Sequence, residues 1–330
     1  MQPSPPRLFR RTLGFAMLAA PLGLPVRAQE GYPTRPVGVI LPLQAGSASD
    51  AAARILLEVM EADLGQRFAV ENVLGAAGQI GAERAARARA DGYTLAALNN
   101  SILTILPLIR QGRVGFDPFA DFIPVSGIAT IPTYLGVNPA VPARTVPEFL
   151  AWARSRNGEA NYASGGAGSP QHLATEMFMA MSGVRMTHVP YRGATQAAAD
   201  LAAGHVDVMF IAHTLALPFL DGNKVRLIGF AGPERSKAMP DIPTVAEQGV
   251  AGYDYSSWIA LFAPKGTPDA IVARLRASAA KALAAPGVED RLARAGNQIW
   301  PLDHAALAAT MRADFARWQQ VVRTADIKAD

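Results

Sequence analysis

Cysteine is absent from the sequence. That removes a disulfide framework, a thiolate nucleophile and any cysteine-ligated metal site. An excess of one charge is lacking too, once the N-terminus is set aside. The chain has 31 Lys+Arg against 27 Asp+Glu, and residues 1–28 hold four of those cations (Arg7, Arg10, Arg11 and Arg27) and no acid, which leaves 27 against 27. A balanced chain has no electrostatic footprint for nucleic acid, so no such partner is expected. Beyond the N-terminus no stretch reaches the roughly 18 unbroken apolar residues of a membrane span, which predicts a soluble mature chain. There is no G-x-x-x-x-G-K-[ST] loop, and Gly75-x-x-Gly78-x-x-Gly81 does not match the dinucleotide fingerprint. His172, His188, His205, His213 and His304 show no H-E-x-x-H pairing, and no serine lies in a G-x-S-x-G elbow. Neither a cofactor nor a metal is expected, and enzyme readings are weak.

What is present begins with a processing signal. Arg7, Arg10 and Arg11 supply a basic region, Leu13–Leu24 is apolar but too short to span a bilayer, and Val26-Arg27-Ala28 offers a small-residue cleavage site. Residues 1–28 therefore read as a cleavable export signal, and the mature protein is expected in the periplasm. Arg10-Arg11 leaves open whether a twin-arginine or an ordinary secretory route is used.

The remaining chain alternates apolar strands with Ala-rich helical patterns across Gly/Ser turns, the signature of an α/β layer fold. Val37–Leu43, Phe68–Asn72 and Leu95–Leu98 are expected strands, with a helix ending at Leu64 and another at about Arg89. Phe122–Ile128 and Tyr134–Val137 follow, then a capping box at Thr145–Glu148, strands at Met186–Val189, Val208–Ile211, Val225–Phe230 and Trp258–Ala263, and helices to the C-terminus. A short helix is expected to begin at Asp241–Thr244, and another, with Thr267 as cap and Pro268 in its first position, to run to about Leu283. The layout predicts two α/β domains, residues 29–127 with 232–330 and an inserted 128–231, with a cleft between them.

Three Gly/Ser turns sit where a strand hands over to a helix: Ala45–Asp50, Gly75–Gly81 and Ser164–Ser169. In Asn161–Phe178, Ser169 is a good N-cap and Pro170 fits the first helical position. Unencumbered amides, hydroxyls and a helix N-terminus together suit an anion. Such turns often carry Gly and a Ser cap whatever the function, but three of them, split between the two domains, favour a shared anion site. Asp50 fits a structural position in a capping box with Ser47, since it would repel a bound carboxylate. His172 reads as a packed residue, Met177, Phe178, Met179 and Met181 as core, and Arg192 as a partner for either a second ligand carboxylate or a neighbouring acid. A serine hydrolase using Ser164 or Ser169 with His172 or His188 stays open as an alternative.

At Tyr32-Pro33-Thr34-Arg35-Pro36, Gly46 with Asp50, Glu71-Asn72 before Gly75–Gly81, Asp91-Gly92-Tyr93-Thr94, Tyr162-Ala163-Ser164-Gly165 and His188-Val189-Pro190-Tyr191-Arg192-Gly193, the chain resembles the Bug family. These are extracytoplasmic solute receptors of tripartite tricarboxylate transporters. The resemblance implies a two-domain periplasmic binding protein of the Venus-flytrap kind, expected to be a monomer. It would capture a small carboxylate between its domains and deliver it to integral membrane transporter subunits, or alternatively to a sensor. It also implies that backbone amides, hydroxyls and ordered water hold the carboxylate, at Ser47, Ala48, Ala76, Gly78, Ser164, Gly165, Gly168 and Ser169. Thr130, Thr133, Tyr191, Thr195 and Asp207 are further expected wall residues. Ser47 stands where the family usually has a second glycine.

Overall fold

The computed structural model describes residues 1–2 and 31–325, so the expected export signal lies outside the described residues apart from its first two. The elements below fall in one compact unit, residues 33–330. Among the described residues no helix is long and apolar enough to cross a membrane.

The apolar run after Pro36 forms β1 (Val37–Leu41), which hands over to α1 (Ala48–Leu64). β2 (Phe68–Asn72) follows, then a 3-10 turn at Ala76–Gly78, α2 (Gln79–Ala86) and β3 (Thr94–Asn99). A π-helical turn, Ser101–Ile105, leads into the single-turn α3 (Leu106–Ile109), and β4 (Phe122–Ile131) comes next. β1 lies between β2 and β3 in parallel register, which suits its burial at every position but Gly38.

Pro132 alone separates β4 from β5 (Thr133–Val137), so the chain leaves the first sheet in one extended pass. A second sheet then assembles from α4 (Val146–Ser155), β6 (Asn161–Ser164), α5 (Pro170–Ser182), β7 (Thr187–Pro190), α6 (Ala194–Ala203), β8 (Val208–Ala212), α7 (His213–Leu220) and β9 (Arg226–Phe230). The chain returns through β10 (Ser257–Pro264), α8 (Asp269–Leu283), α9 (Val288–Arg294), the two-residue β11 (Gln298–Ile299) and α10 (His304–Ala325). The sheet orders are β11-β4-β10-β3-β1-β2 and β7-β6-β8-β5-β9.

Several expected boundaries move. β4 runs to Ile131 rather than Ile128 because it pairs along the length of β10, from Ser257 opposite Ile131 to Pro264 opposite Phe122. Thr244 and Glu247 do form a reciprocal capping box, at 2.6 and 2.9 Å, but only a turn follows it, not a helix. Thr267 does not cap α8. Its hydroxyl donates to the Pro264 carbonyl at 2.7 Å, and the helix begins after Pro268.

Two apolar cores back the sheets. Ile40, Leu98, Phe122, Trp258 and Phe262 serve the first, and Phe149, Tyr162, Phe178, Phe210 and Tyr253 the second. Two segments belong to both. Residues 101–109 give Ile102 and Leu103 to the first core and Ile105, Leu106 and Ile109 to the second. Likewise α10 gives Leu307 and Met311 to the first and Trp318 to the second. Met177 and Phe178 are buried as expected, whereas Met181 is exposed.

Candidate functional site

A cavity of about 570 Å³ lies between loops of the two sheets. From the first sheet it is lined by residues of the β1–α1 loop (Gln44, Ser47, Ala48), the turn before α2 (Gly75 to Gly78) and the end of β3 (Asn99). The second sheet contributes Thr133, the loop before α5 (Gly165 to Ala167, Ser169) and Tyr191 to Ala194. All three Gly/Ser turns therefore meet at one place.

Each turn owes its shape to a local cause. Ser47 caps α1, its hydroxyl accepting from the Asp50 amide at 3.3 Å. Asp50 is buried behind this cap and accepts from the Gly46 amide (3.0 Å), Arg54 Nε (2.9 Å) and Asn72 Nδ2 (3.0 Å). Burial raises its carboxyl pKa, but those hydrogen bonds and the Arg54 charge outweigh burial and hold it below the ordinary value. Its oxygens are thus taken up within the loop, as the capping reading expects.

The second turn is strained. Ala76 (φ 46°) and Ala77 (φ 56°) are both left-handed, flanked by Gly75 and Gly78 at positive φ. L-residues hold such angles only where surrounding contacts enforce them, commonly at ligand sites. The Gly78 amide closes the turn by donating to the Gly75 carbonyl at 2.9 Å. A methyl on Gly78 would lie 2.6 Å from Ile102 Cδ1 and 3.2 Å from the Pro42 carbonyl oxygen, so glycine is also required sterically.

In the third turn Ser169 caps α5, accepting from the His172 amide at 3.4 Å, with Pro170 in the first helical turn. The N-termini of α1 and α5 thus face one cavity from opposite sheets, and the partial positive charge at each favours an anion. The lining contains two cations, Arg110 and Arg192, and no Asp or Glu. Among the described residues there is no cluster of three side chains suited to a metal ion.

The expected site residues divide on this geometry. Ser47, Ala48, Ala76, Gly78, Gly165, Ser169, Thr133 and Tyr191 line the cavity. The Tyr191 hydroxyl, however, donates to Asp200 Oδ2 at 2.8 Å, and burial first and Asp200 second push its pKa up to about 12. Ser164, Gly168, Thr130, Thr195 and Asp207 lie off the wall. Ser164 is fully buried, with its hydroxyl 2.6 Å from His188 Nε2 and bonded to the amide and carbonyl of Gly166. Gly168 sits behind the wall, where a Cβ would come 3.1 Å from Ala77 Cβ on the facing loop. Thr130 turns towards Gln298 Oε1 (3.4 Å) at the sheet edge, Thr195 is exposed on α6, and Asp207 accepts from the Asn161 amide at 2.8 Å.

Gln44, Asn99, Arg110 and Gly193 belong to the wall and were not among the expected residues. The Asn99 side-chain oxygen accepts from Ser101 Oγ (3.0 Å) and the Ile102 amide (3.1 Å), which leaves Nδ2 buried on the wall without a partner. Gly193 lies close under the Gln44 amide, so that a Cβ there would displace that side chain, 1.9 Å from its Oε1. The Ser164–His188 pair continues into a stack of Tyr162, His188 and His172, with ring centroids 4.7 and 4.6 Å apart along it.

Comparison with known proteins matches residues 52–327 to the family described as the tripartite tricarboxylate transporter family receptor. Protein BugT of Bordetella pertussis is 30% identical over 96% of this chain and 97% of its own. The Rhodopseudomonas palustris protein Rpa4515, solved with adipate, superposes with a TM-score of 0.86 at 33% identity, covering 90% of this chain and 99% of that one. MatC from Rhodopseudomonas palustris, solved with bound malate, gives 0.83 at 32% identity over 88% of this chain and 100% of that one.

Proposed function

Since the chain belongs to the tripartite tricarboxylate transporter receptor family, we propose that it captures a small carboxylate in the cavity between its sheets and presents it to integral membrane transporter subunits. The observation that carries this reading is the convergence of the α1 and α5 N-termini and the left-handed Ala76–Ala77 turn on a cavity with no acidic side chain in its wall. The adipate and malate bound by the two similar proteins support the same ligand class.

In this reading Ser47, Ala48, Ala76, Gly78, Gly165 and Ser169 hold the carboxylate. The parts of the chain carrying the two sheets move as two domains about the passes at Pro132 and after Phe230. The protein works as a monomer in the periplasm, reached by removal of residues 1–28. Each charge-assisted hydrogen bond contributes about 1.5–3 kcal/mol, against at least about 4 kcal/mol of lost freedom and further desolvation. Four or five such contacts give a net near −8 kcal/mol, or about micromolar Kd.

A thermal-shift panel of monocarboxylates, dicarboxylates, aromatic acids and neutral sugars tests the proposal. One or more carboxylates should raise Tm and no sugar should; stabilisation by a sugar and by no acid would sink it. The 2.6 Å Ser164–His188 contact supports a second reading, a serine hydrolase. Fluorophosphonate labelling of Ser164 would favour that reading, but the serine's full burial and its bonds to the Gly166 backbone argue for a structural role.

A further inference from the structure

The two arginines in the cavity wall have no counter-charge in it. Arg110 comes from the turn that ends α3, whose Leu106 and Ile109 pack in the second core, and Arg192 from the loop between β7 and α6. Neither forms an ion pair among the described residues, and the Nε of Arg110 is buried without a hydrogen-bond partner. A buried N–H of this kind is costly to leave unmade, the more so on a charged group. The bland account, a cation complementing the C-terminus of its own helix, is weak here. α3 continues the π-helical turn, so residues 100–109 do carry a dipole, but the Nε of Arg110 bonds none of the carbonyls at its C-terminus.

Asn99 adds a second, independent mark on the same wall. Its oxygen is held by Ser101 and Ile102, and its Nδ2 is left without a protein acceptor in a wall residue only 1% exposed. Two buried donors without protein acceptors, one of them a guanidinium, thus share a cavity that already offers the amides of its turns to one carboxylate. A guanidinium presents a planar fork that fits a carboxylate through two parallel bonds.

We propose that Arg110 is a specificity-determining residue that anchors a second anionic group of the ligand, with Arg192, exposed in the loop before α6, adding charge to the same wall. The ligand class is then a dianion, one carboxylate on the serine and glycine turns and the other on Arg110. This rests on the carboxylate-receptor reading and goes further by assigning the far end of the ligand to a side-chain cation.

The test is calorimetric titration with acids matched in carbon number: succinate against butyrate, adipate against hexanoate, suberate against octanoate. The readout is the ratio of the two dissociation constants within a pair. For the unaltered protein the best diacid should bind about 10- to 100-fold more tightly than its matched monoacid. Arg110→Met should bring that ratio to within about threefold of one, and Arg110→Lys should restore part of it. Arg110→Gln serves if the methionine variant does not fold. Arg192→Met should reduce the ratio less than Arg110→Met. A ratio near one for the unaltered protein, or a ratio that Arg110→Met and Arg110→Gln leave unchanged, overturns the proposal while leaving the receptor reading intact. Failure of every mono- and diacid to bind the unaltered protein overturns the receptor reading as well.

Discussion

Ser169 carries two duties, and they can be separated by substitution. It caps α5 and also lines the cavity. Ser169→Ala loses both and should lower stability by about 0.5–2 kcal/mol, with a comparable loss in carboxylate affinity. Ser169→Asp keeps a good cap and suits the helix dipole, yet aims a negative charge at a bound anion. Its Tm should stay near that of the parent while carboxylate binding falls at least about tenfold; retained binding would remove Ser169 from the site. Asp50, three residues into α1, makes a pH prediction. Its folded pKa is depressed, so its stabilising contribution is present above the ordinary value of 3.8 and is lost as pH falls through the lower folded value. Asp50→Asn should therefore cost about 1–3 kcal/mol at pH 7, and its difference from the parent should shrink below that window. Urea unfolding at pH 7 and at steps from about pH 4 down to about pH 2 measures both quantities.

Among the elements, the turn at Gly75–Gly78 depends most on backbone conformation. Ala77→Gly removes a side chain from a left-handed position and should leave stability unchanged or raise it by up to about 1 kcal/mol, because relief of strain competes with added chain entropy. Gly78→Ala meets Ile102 and the Pro42 carbonyl at positive φ and should destabilise by about 1–3 kcal/mol. Equal stability of the two variants in denaturant melts would deny that the turn is held under strain. These elements also mark where the sequence was legible. α1 and α5 could be read because Ser47 and Ser169 sit directly at their starts and are satisfied locally. Capping logic misled at Thr267, whose hydroxyl turns back to Pro264, and the short helix expected from Asp241–Thr244 is only a turn, broken by Gly249 at φ 105°. Residues 101–109 were not legible because their cap, Asn99 Oδ1 on the Ile102 amide, is the last residue of the apolar strand β3, and α7 because no side chain caps its start. Asn99 and Arg110 lie at the two ends of that first segment. The Gly/Ser turns that line the cavity were visible from local chemistry, whereas the unpartnered donors of Asn99 and Arg110 depend on how the two sheets come together.

For the whole molecule, two kinds of contact oppose one another across the cavity. The cavity loops meet closely, with Gly193 against Gln44 and Gly168 against Ala77, and these contacts can part. Residues 101–109 and α10 each contribute to both apolar cores, and such buried contacts resist separation. Motion should therefore open the cavity mouth while these two segments remain packed, with the flexing concentrated at Pro132 and between Ala231 and Tyr255. The absence of cysteine allows this to be measured directly. Ile80 on α2 and Thr195 on α6 are both exposed and flank the cavity from opposite sheets, so cysteines there can carry a pair of spin labels. Without ligand the interlabel distances should include a longer population. With a carboxylate at about 100 times its Kd, which also stabilises by about 2.7 kcal/mol, they should collapse to one shorter, narrower population. A distribution that stays unchanged while the thermal shift persists would mean that the ligand enters a preformed cavity. In that case a membrane partner would have to recognise the bound carboxylate by some route other than closure of the two halves.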